Sequence, residues 1–465
     1  PNDWMVSKAV LEKILKSWQL QDSSVNPNRE ILAWVKERNE SLVVNIRPNR
    51  LSESGVWFYD AENGRVTNQN HSFFTIEGMR AYQDGKPILE QPVIVQDEIG
   101  YLGILCKEFD GVLYFLMQAK IEPGNVNKIQ ISPTIQATKS NFMQKHGGKK
   151  PPYLDYFLNA DRHTVLVDQI QSEQSSRFYK KRNRNLILLV EDEVEVLPSH
   201  KWMTLGQLKE LMKIDNLVNM DTRTVLSCIP FSILDGTGGQ YRKYFRDQAL
   251  HNSIFDDPDP AILPTIYDYI NNYKMFRYES PELIPLYKLK DWEITDDGIR
   301  CRHPYSFDVI YCDIEVEGRE VRRWTQPLFR AKGMASFGVF TTVRNGKRLF
   351  LTHAVPEPGC FDGIELGPTV QREAVCSHEP DAVETLFLQQ YEKKAGVLYD
   401  VILSEEGGRF YQEQNQNIIL KISTEAISKP PKGYFWTDYR TLNLLTQVNN
   451  CLNIQLRNLL SLLEV

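Results

Sequence analysis

No CxxC pair occurs among the seven cysteines (Cys106, Cys228, Cys301, Cys312, Cys360, Cys376 and Cys451), and their number is odd. Both facts exclude a disulfide framework and a structural zinc ribbon; they point to a reducing compartment in which most thiols are small buried hydrophobes. No apolar run nears the roughly 18 residues that span a bilayer, and no basic-then-apolar leader opens the sequence. A membrane protein is therefore not expected, and the cytoplasm is the expected location. Positive charge is not in surplus either: 54 Lys and Arg stand against 60 Asp and Glu, a net charge of −6, which excludes bulk binding of nucleic acid. At 465 residues, 42% hydrophobic and 25% charged, the chain reads as a soluble globular protein of two or three domains.

What the chain does contain is a copy of itself. EPGNVNKIQISPTIQ (Glu122 to Gln136) returns as EPGCFDGIELGPTVQ (Glu357 to Gln371), and Gln91-Pro92 returns as Gln326-Pro327, all at one offset of 235 residues. Downstream, Ser172-Glu173, Arg177-Phe178, Asn183 and Asn185 match Ser404-Glu405, Arg409-Phe410, Asn415 and Asn417 at 232. Farther on, Trp202, Leu208, Leu211, Asn216, Asn219 and Arg223 match Trp436, Leu442, Leu445, Asn450, Asn453 and Arg457 at 234. A period this long means two similar domains, not a solenoid of short repeats.

Within each copy the order is the same. VSKAVLEKILKSWQ puts Val6, Val10, Ile14 and Trp18 at helical spacing, and a second helix opens near Pro27 and Asn28. From Ser41 the texture turns to β-rich pieces cut by Asn, Gly and Asp turns, a mostly antiparallel or mixed sheet. Thr204-Leu-Gly-Gln207 is a capping box that opens a helix, and Asp221 is expected to open the next. Residues 1–233 form the first repeat, 265–465 the second, and 234–264, with its glycines and DDPDP run, the connector. Sheets with helices at their ends make an α+β arrangement.

Two constellations are too polar for a core. After Thr134, Gln136 and Thr138 come Lys139, Ser140, Asn141 and His146, the last followed by a Gly147-Gly148 pair that permits close backbone approach; Thr369 and Gln371 are their counterparts in the second copy. The other is Glu173, Gln174 and Arg177, matched by Glu405, Arg409 and Tyr411, with an acid and an arginine four residues apart in both copies. An arginine fork suits a diphosphate because two parallel N–H groups hold two oxygens, so an anionic, phosphorylated ligand is expected.

With QPVIVQDEIGYLGIL, GVLYFLMQAKIEPGN, SPTIQATKSN, HGG, QSEQ, KRNRN, GPTVQ and SEEGGRFY in view, nearly the whole chain resembles the NDP-hexose 2,3-dehydratases of deoxysugar biosynthesis. The resemblance implies two tandem Nudix-like domains, a homodimer, and a dTDP-linked 4-keto-6-deoxyhexose as substrate. It implies β-elimination without redox cofactor or metal, and a downstream NAD(P)H-dependent 3-ketoreductase to consume the product. Lys139, His146, Glu173, Glu405 and Tyr411 are then the candidate catalytic groups, and Thr134, Gln136, Asn141, Gln174, Arg177, Thr369, Gln371 and Arg409 the candidate substrate-binding groups. The alternative is a nucleotide-sugar hydrolase or binding protein of Nudix ancestry, but neither half contains the glutamate-rich Nudix helix that hydrolysis requires. The second copy replaces Lys139 and Asn141 by Ala374 and Cys376, which favours the first copy as the chemical site. Removing a donor to developing negative charge costs about 10²–10³ in rate. Lys139→Ala is accordingly expected to lose that much dehydration in a steady-state assay, while Arg372→Ala stays near wild type.

Overall fold

The computed structural model describes residues 7–70, 73–138, 150–232 and 238–465. Local rules account for the helices. Ser7 caps the helix Lys8–Gln19, its hydroxyl accepting from the Val10 amide, and Leu11, Ile14, Leu15 and Trp18 form the buried stripe expected at 3.6-residue spacing. Thr204 and Gln207 make the expected reciprocal capping box on Leu205–Leu211. The next helix, Met220–Ser227, is capped two residues earlier than expected, by Asn219 in place of Asp221, because the Asn219 side-chain Oδ1 accepts from the Thr222 amide. That leaves the Asp221 carboxyl, inside the first turn, available to a neighbour.

Each repeat contributes one large seven-stranded sheet. In the first, Thr164–Ser172, Arg182–Leu189, Gly100–Phe109, Val112–Ile121 and His200–Met203 lie side by side, with Ile129–Ser132 and Ile135–Ala137 added at the strand ends. In the second, Val397–Ser404, Gln414–Lys421, Ser336–Arg344, Lys347–Val355 and Tyr434–Asp438 repeat that order, with Glu365–Gly367 and Val370–Arg372 as the short additions. Pro133 and Pro368 stand at the same place, between the two short strands of their own sheet. One neighbouring pair in each large sheet is parallel, Arg182–Leu189 on Gly100–Phe109 and Gln414–Lys421 on Ser336–Arg344.

The two smaller, five-stranded sheets are shared between repeats. Val43–Pro48 from the first repeat pairs with Phe307–Glu317 of the second, and Glu282–Ile284 from the second pairs with Thr75–Gln83 of the first. Each repeat thus lends a strand to the other's sheet. Between those sheets lies one hydrophobic core containing Trp57, Phe74, Ile94 and Phe178 from the first repeat with Trp292, Phe307, Phe329 and Phe410 from the second. Phe178 and Phe410, equivalent in sequence, meet edge to face with centroids 5.9 Å apart.

The connector expected at 234–264 is not a loose tether. Gly238–Tyr244 is a 3₁₀ helix, Gln248–Phe255 is an α-helix, and Ile262 begins the longer helix Ile262–Phe276. Tyr241, Phe245, Leu250, Ile254 and Phe255 are buried in the main core beside Trp18 and Tyr439.

Because the exchanged strands and the shared core tie the halves together, they are expected to unfold as one. Phe410→Ala removes a fully buried ring and is expected to cost about 3–5 kcal/mol. In urea melts the loss should appear as one shared shift in both halves, not as a new early transition confined to residues 265–465.

Candidate active site

The conserved texture of the two copies converges on two polar centres, and each centre is built from both repeats. The EPG turn of one copy touches the SE-containing loop of the other. The Gly124 amide donates to the Gly407 carbonyl (2.8 Å), the Gln412 amide donates to the Gly124 carbonyl (2.6 Å), and reciprocally the Lys180 amide donates to Gly359 (2.8 Å). A Cβ on Gly124 would lie 2.0 Å from the Phe410 carbonyl oxygen, and one on Gly359 2.0 Å from that of Ser175. Only glycine allows this approach. The loops differ in a compensated way: Gly407 faces Asn125, whose Oδ1 a Cβ would meet at 2.4 Å, whereas its counterpart Ser175 interacts through its hydroxyl with the smaller Cys360.

In the first centre, Gln136 in the middle of the short strand Ile135–Ala137 donates to Asp221 Oδ2 (2.5 Å) and accepts from Asn219 Nδ2 (3.0 Å). Glu173, buried just past the strand Thr164–Ser172, accepts from Asn183 (2.5 Å), and the Lys181 ammonium bonds the Glu98 carbonyl. From the other repeat come Glu406 and Arg409. The Arg409 guanidinium reaches the Gly408 carbonyl (2.9 Å) and Gln96 Oε1 (3.3 Å) and stacks over Phe74 at 4.2 Å. Burial pushes Glu173 up to about 7, with the nearby Glu406 adding to it. Burial also drives Asp221 well above the usual carboxylate range, reinforced by Glu173, Glu406 and Glu122, and raises Glu122. It lowers Lys181 and Arg409. Carboxyls that hold protons near neutrality, beside cations, are the equipment of general acid–base chemistry.

The second centre is built on the equivalent strands and loops of the other copy and carries different charges. Gln371 donates to Glu357 (3.0 Å) and accepts from Asn453 (2.8 Å). Gln455 stands at the position of Asp221, Glu413 at that of Lys181, and Glu373 at that of Thr138. The consequence is electrostatic: Arg177, the twin of Arg409, is clamped by both oxygens of Glu373 at 3.0 Å and stacks on Phe307 at 4.2 Å. Arg409 makes no ion pair within 4.0 Å among the described residues. Glu405 accepts from Asn415 (2.8 Å), and burial raises it; Glu413, which Gln174 bonds, is pushed up to about 7, again mainly by burial.

The expected site residues therefore divide. Glu173, Gln136 and Arg409 meet in the first centre; Gln174, Arg177, Gln371 and Glu405 belong to the second. Lys139, Asn141 and His146 lie outside the described residues. Thr134 and Thr369 have their hydroxyls bonded within their own sheets: each donates to a strand carbonyl, Leu116 or Leu351, and accepts from a strand amide, Leu105 or Phe340 (2.9 Å each). They latch neighbouring strands of their sheets. Tyr411 is also elsewhere, its amide on Phe329 and its ring against the small core of Cys312, Ile314 and Leu328. Glu122, Asp221, Lys181 and Glu406, which the first centre also contains, were not among the expected site residues, although Lys181 lies in the basic run after Arg177. Their signal was in the alignment of the copies, where Asp221 against Gln455 and Lys181 against Glu413 mark where one centre changed its charge.

A family model described as NDP-hexose 2,3-dehydratase matches residues 28–229 and again 264–463, one match to each repeat. The chain belongs to the NDP-hexose 2,3-dehydratase family. Similar proteins include one from Saccharopolyspora spinosa, 39% identical over 94% of this chain and 91% of the relative, named dTDP-4-dehydro-6-deoxy-alpha-D-glucopyranose 2,3-dehydratase. Relatives of the same name from Amycolatopsis orientalis (33%, covering 97% of this chain and 93% of the relative) and Streptomyces violaceoruber (34%, 92% and 95%) match along almost their full lengths. The family's two matched segments are thus the two repeats that trade loops at the centres.

Glu365 offers a test of the electrostatics at the second centre. It is buried, accepts from the Ser172 hydroxyl (2.7 Å), and burial pushes it from 4.5 to about 7; the other copy has the neutral Gln130 there. With the folded pKa above the unfolded one, the native state holds the extra proton, so stability falls as pH rises from about 4.5 through about 7. Glu365→Gln should raise the melting temperature at pH 8 and flatten its pH dependence across that window, and thermal melts from pH 4 to 8 will show whether it does.

Proposed function

We propose that the chain is a nucleotide-sugar 2,3-dehydratase acting on dTDP-4-keto-6-deoxyglucose, and that the first centre does the chemistry. Membership in the family and the shared name of its relatives support the activity. The observation that carries the choice of centre is the contrast between the arginines: Arg177 is neutralised by Glu373, whereas Arg409, with carboxylates near it, makes no ion pair within 4.0 Å among the described residues and bonds the Gly408 carbonyl and Gln96 beside the Phe74 ring. A diphosphate or an enolate needs an arginine of the second kind.

In this substrate the C4 ketone acidifies the C3 proton, and the C2 hydroxyl lies β to that ketone. Glu173, poised near neutrality, takes the C3 proton. Negative charge developing on the C4 oxygen is met by the cations of the centre, Lys181 and Arg409. Protonated Asp221 gives its proton to the C2 hydroxyl; the C2–O bond breaks as the C2–C3 double bond forms, and water departs. The enol tautomerises to a 3,4-diketo-2,6-dideoxy sugar. Oxidation at C3 balances the oxygen lost from C2, so no redox cofactor enters. Lys139, Asn141 and His146, which follow Thr138 in the chain, join this machinery on the strength of the resemblance. The resemblance also supports the Nudix-like descent of each repeat and the homodimer, the cysteine usage supports a cytoplasmic location, and the product's chemistry calls for an NAD(P)H-dependent 3-ketoreductase to consume it.

The test is incubation with dTDP-4-keto-6-deoxyglucose, a 3-ketoreductase and NADPH. Oxidation of NADPH with loss of one water from the sugar nucleotide is expected, and release of dTMP or dTDP instead would identify a hydrolase. General acid–base residues contribute about 10²–10⁴ in rate. Glu173→Gln should lose that much and Glu413→Gln little; the opposite ranking would move the chemistry to the second centre.

A further inference from the structure

The last helix of each repeat, Met220–Ser227 and Ile454–Leu460, carries a buried arginine at an equivalent position, Arg223 and Arg457. Each reaches out of its own repeat. Arg457 donates through Nη2 to the Ser172 carbonyl (2.5 Å), through Nη1 to the Leu452 carbonyl (2.5 Å) and more weakly to the Ser172 hydroxyl (3.4 Å), and through Nε to Thr224 Oγ1 (3.0 Å). Arg223 reciprocates with the Ser404 carbonyl at 3.2 Å and its own helix's Asn219 carbonyl at 3.3 Å. Ser172 ends the strand Thr164–Ser172, and Glu173 is the next residue.

A guanidinium is costly to bury, and a nearby apolar replacement would satisfy packing alone. What only a rigid fork of donors can do is hold the Ser172 carbonyl through one arm while its other N–H groups are anchored on Leu452 and Thr224. We propose that Arg457 is the positioning residue for Glu173: from the second repeat it clamps the strand end that aims this carboxyl into the first centre. The inference rests on the reading of Glu173 as the proton-transfer group. Its anchor points divide the labour, Leu452 and Thr224 fixing the arginine and Ser172 receiving the constraint. The cationic head also sits close enough to oppose the rise in the Glu173 pKa that burial causes. Other groups facing Glu173 are Lys181 and Asn183 from the start of the strand Arg182–Leu189, Glu406 and Arg409 from the crossing loop, Glu405 beside that loop, and Asp221 from the helix Met220–Ser227.

The experiment measures kcat and KM against pH on the full chain for Arg457→Gln, Arg457→Lys, Thr224→Val and Glu173→Gln. A small misplacement of a reacting group costs up to about 10²-fold. Arg457→Gln is expected to lower kcat about ten- to a hundredfold with KM within about twofold, and to move the Glu173-dependent limb of the kcat profile to higher pH. Arg457→Lys should return that limb towards its wild-type position without restoring kcat, because it supplies the charge but not the fork. Should Arg457→Gln not fold, Thr224→Val, which keeps the arginine and removes one anchor, is expected to lower kcat in the same sense. A folded Arg457→Gln with wild-type kcat and limb, a loss confined to KM, or a Thr224→Val with unchanged kcat would overturn the proposal while Glu173→Gln remained inactive. Full activity in Glu173→Gln would instead overturn the reading on which it rests.

Discussion

The contact on which the architecture depends is the meeting of each EPG turn with the loop of the other repeat at a distance no side chain tolerates. Gly124 and Gly359 allow backbone to pack on backbone there, and the amide of one chain segment is satisfied by the carbonyl of the other. The exchanged strands, the shared aromatic core around Phe178 and Phe410, and the arginines that reach from each last helix to a strand end of the other repeat all reinforce the same junction. Catalytic groups held at such a junction inherit its rigidity, since their backbone is fixed from both sides.

Equivalent strands and loops with unlike charges make the molecule its own comparison. At the first centre a lysine, an arginine without an ion pair within 4.0 Å among the described residues and several buried acids coexist; at the second, Glu373 and Glu413 replace a threonine and a lysine, and the arginine's Nη2 is held by both oxygens of Glu373. Acids are buried at both, and what differs is how the arginine is paired. A handful of substitutions separates them, with the Thr134 and Thr369 latches and the Gln136 and Gln371 amides left in place.

Much of this was legible in the sequence, because offsets between matched residues are insensitive to packing. The duplication, the capping box at Thr204 and the order of sheet and helix followed from spacing alone. The strand exchange did not, since the alternation in Val43–Pro48 says that it pairs but not with which copy. The connector misled because Gly236, Gly238, Gly239 and the DDPDP run signal turns, while Leu250, Ile254 and Phe255, spaced for a helix face, signal burial. A threonine in a polar motif looks the same whether it greets a ligand or bonds a strand carbonyl; only the position of Leu116 separates the two for Thr134. Asp221 was hidden as a presumed helix cap, and Asn219 took that role.

Covalent linkage of the two copies has an evolutionary consequence. In an assembly of two identical single-repeat chains, any substitution near one centre would occur in the other as well, so a carboxylate that silenced one arginine would silence both. Joined in tandem, the copies can be altered separately: a glutamate can arise at 373 while a threonine persists at 138. Yet neither copy can be discarded, because each supplies the loop that closes its neighbour's centre. Such a protein is free to specialise one half and obliged to inherit both.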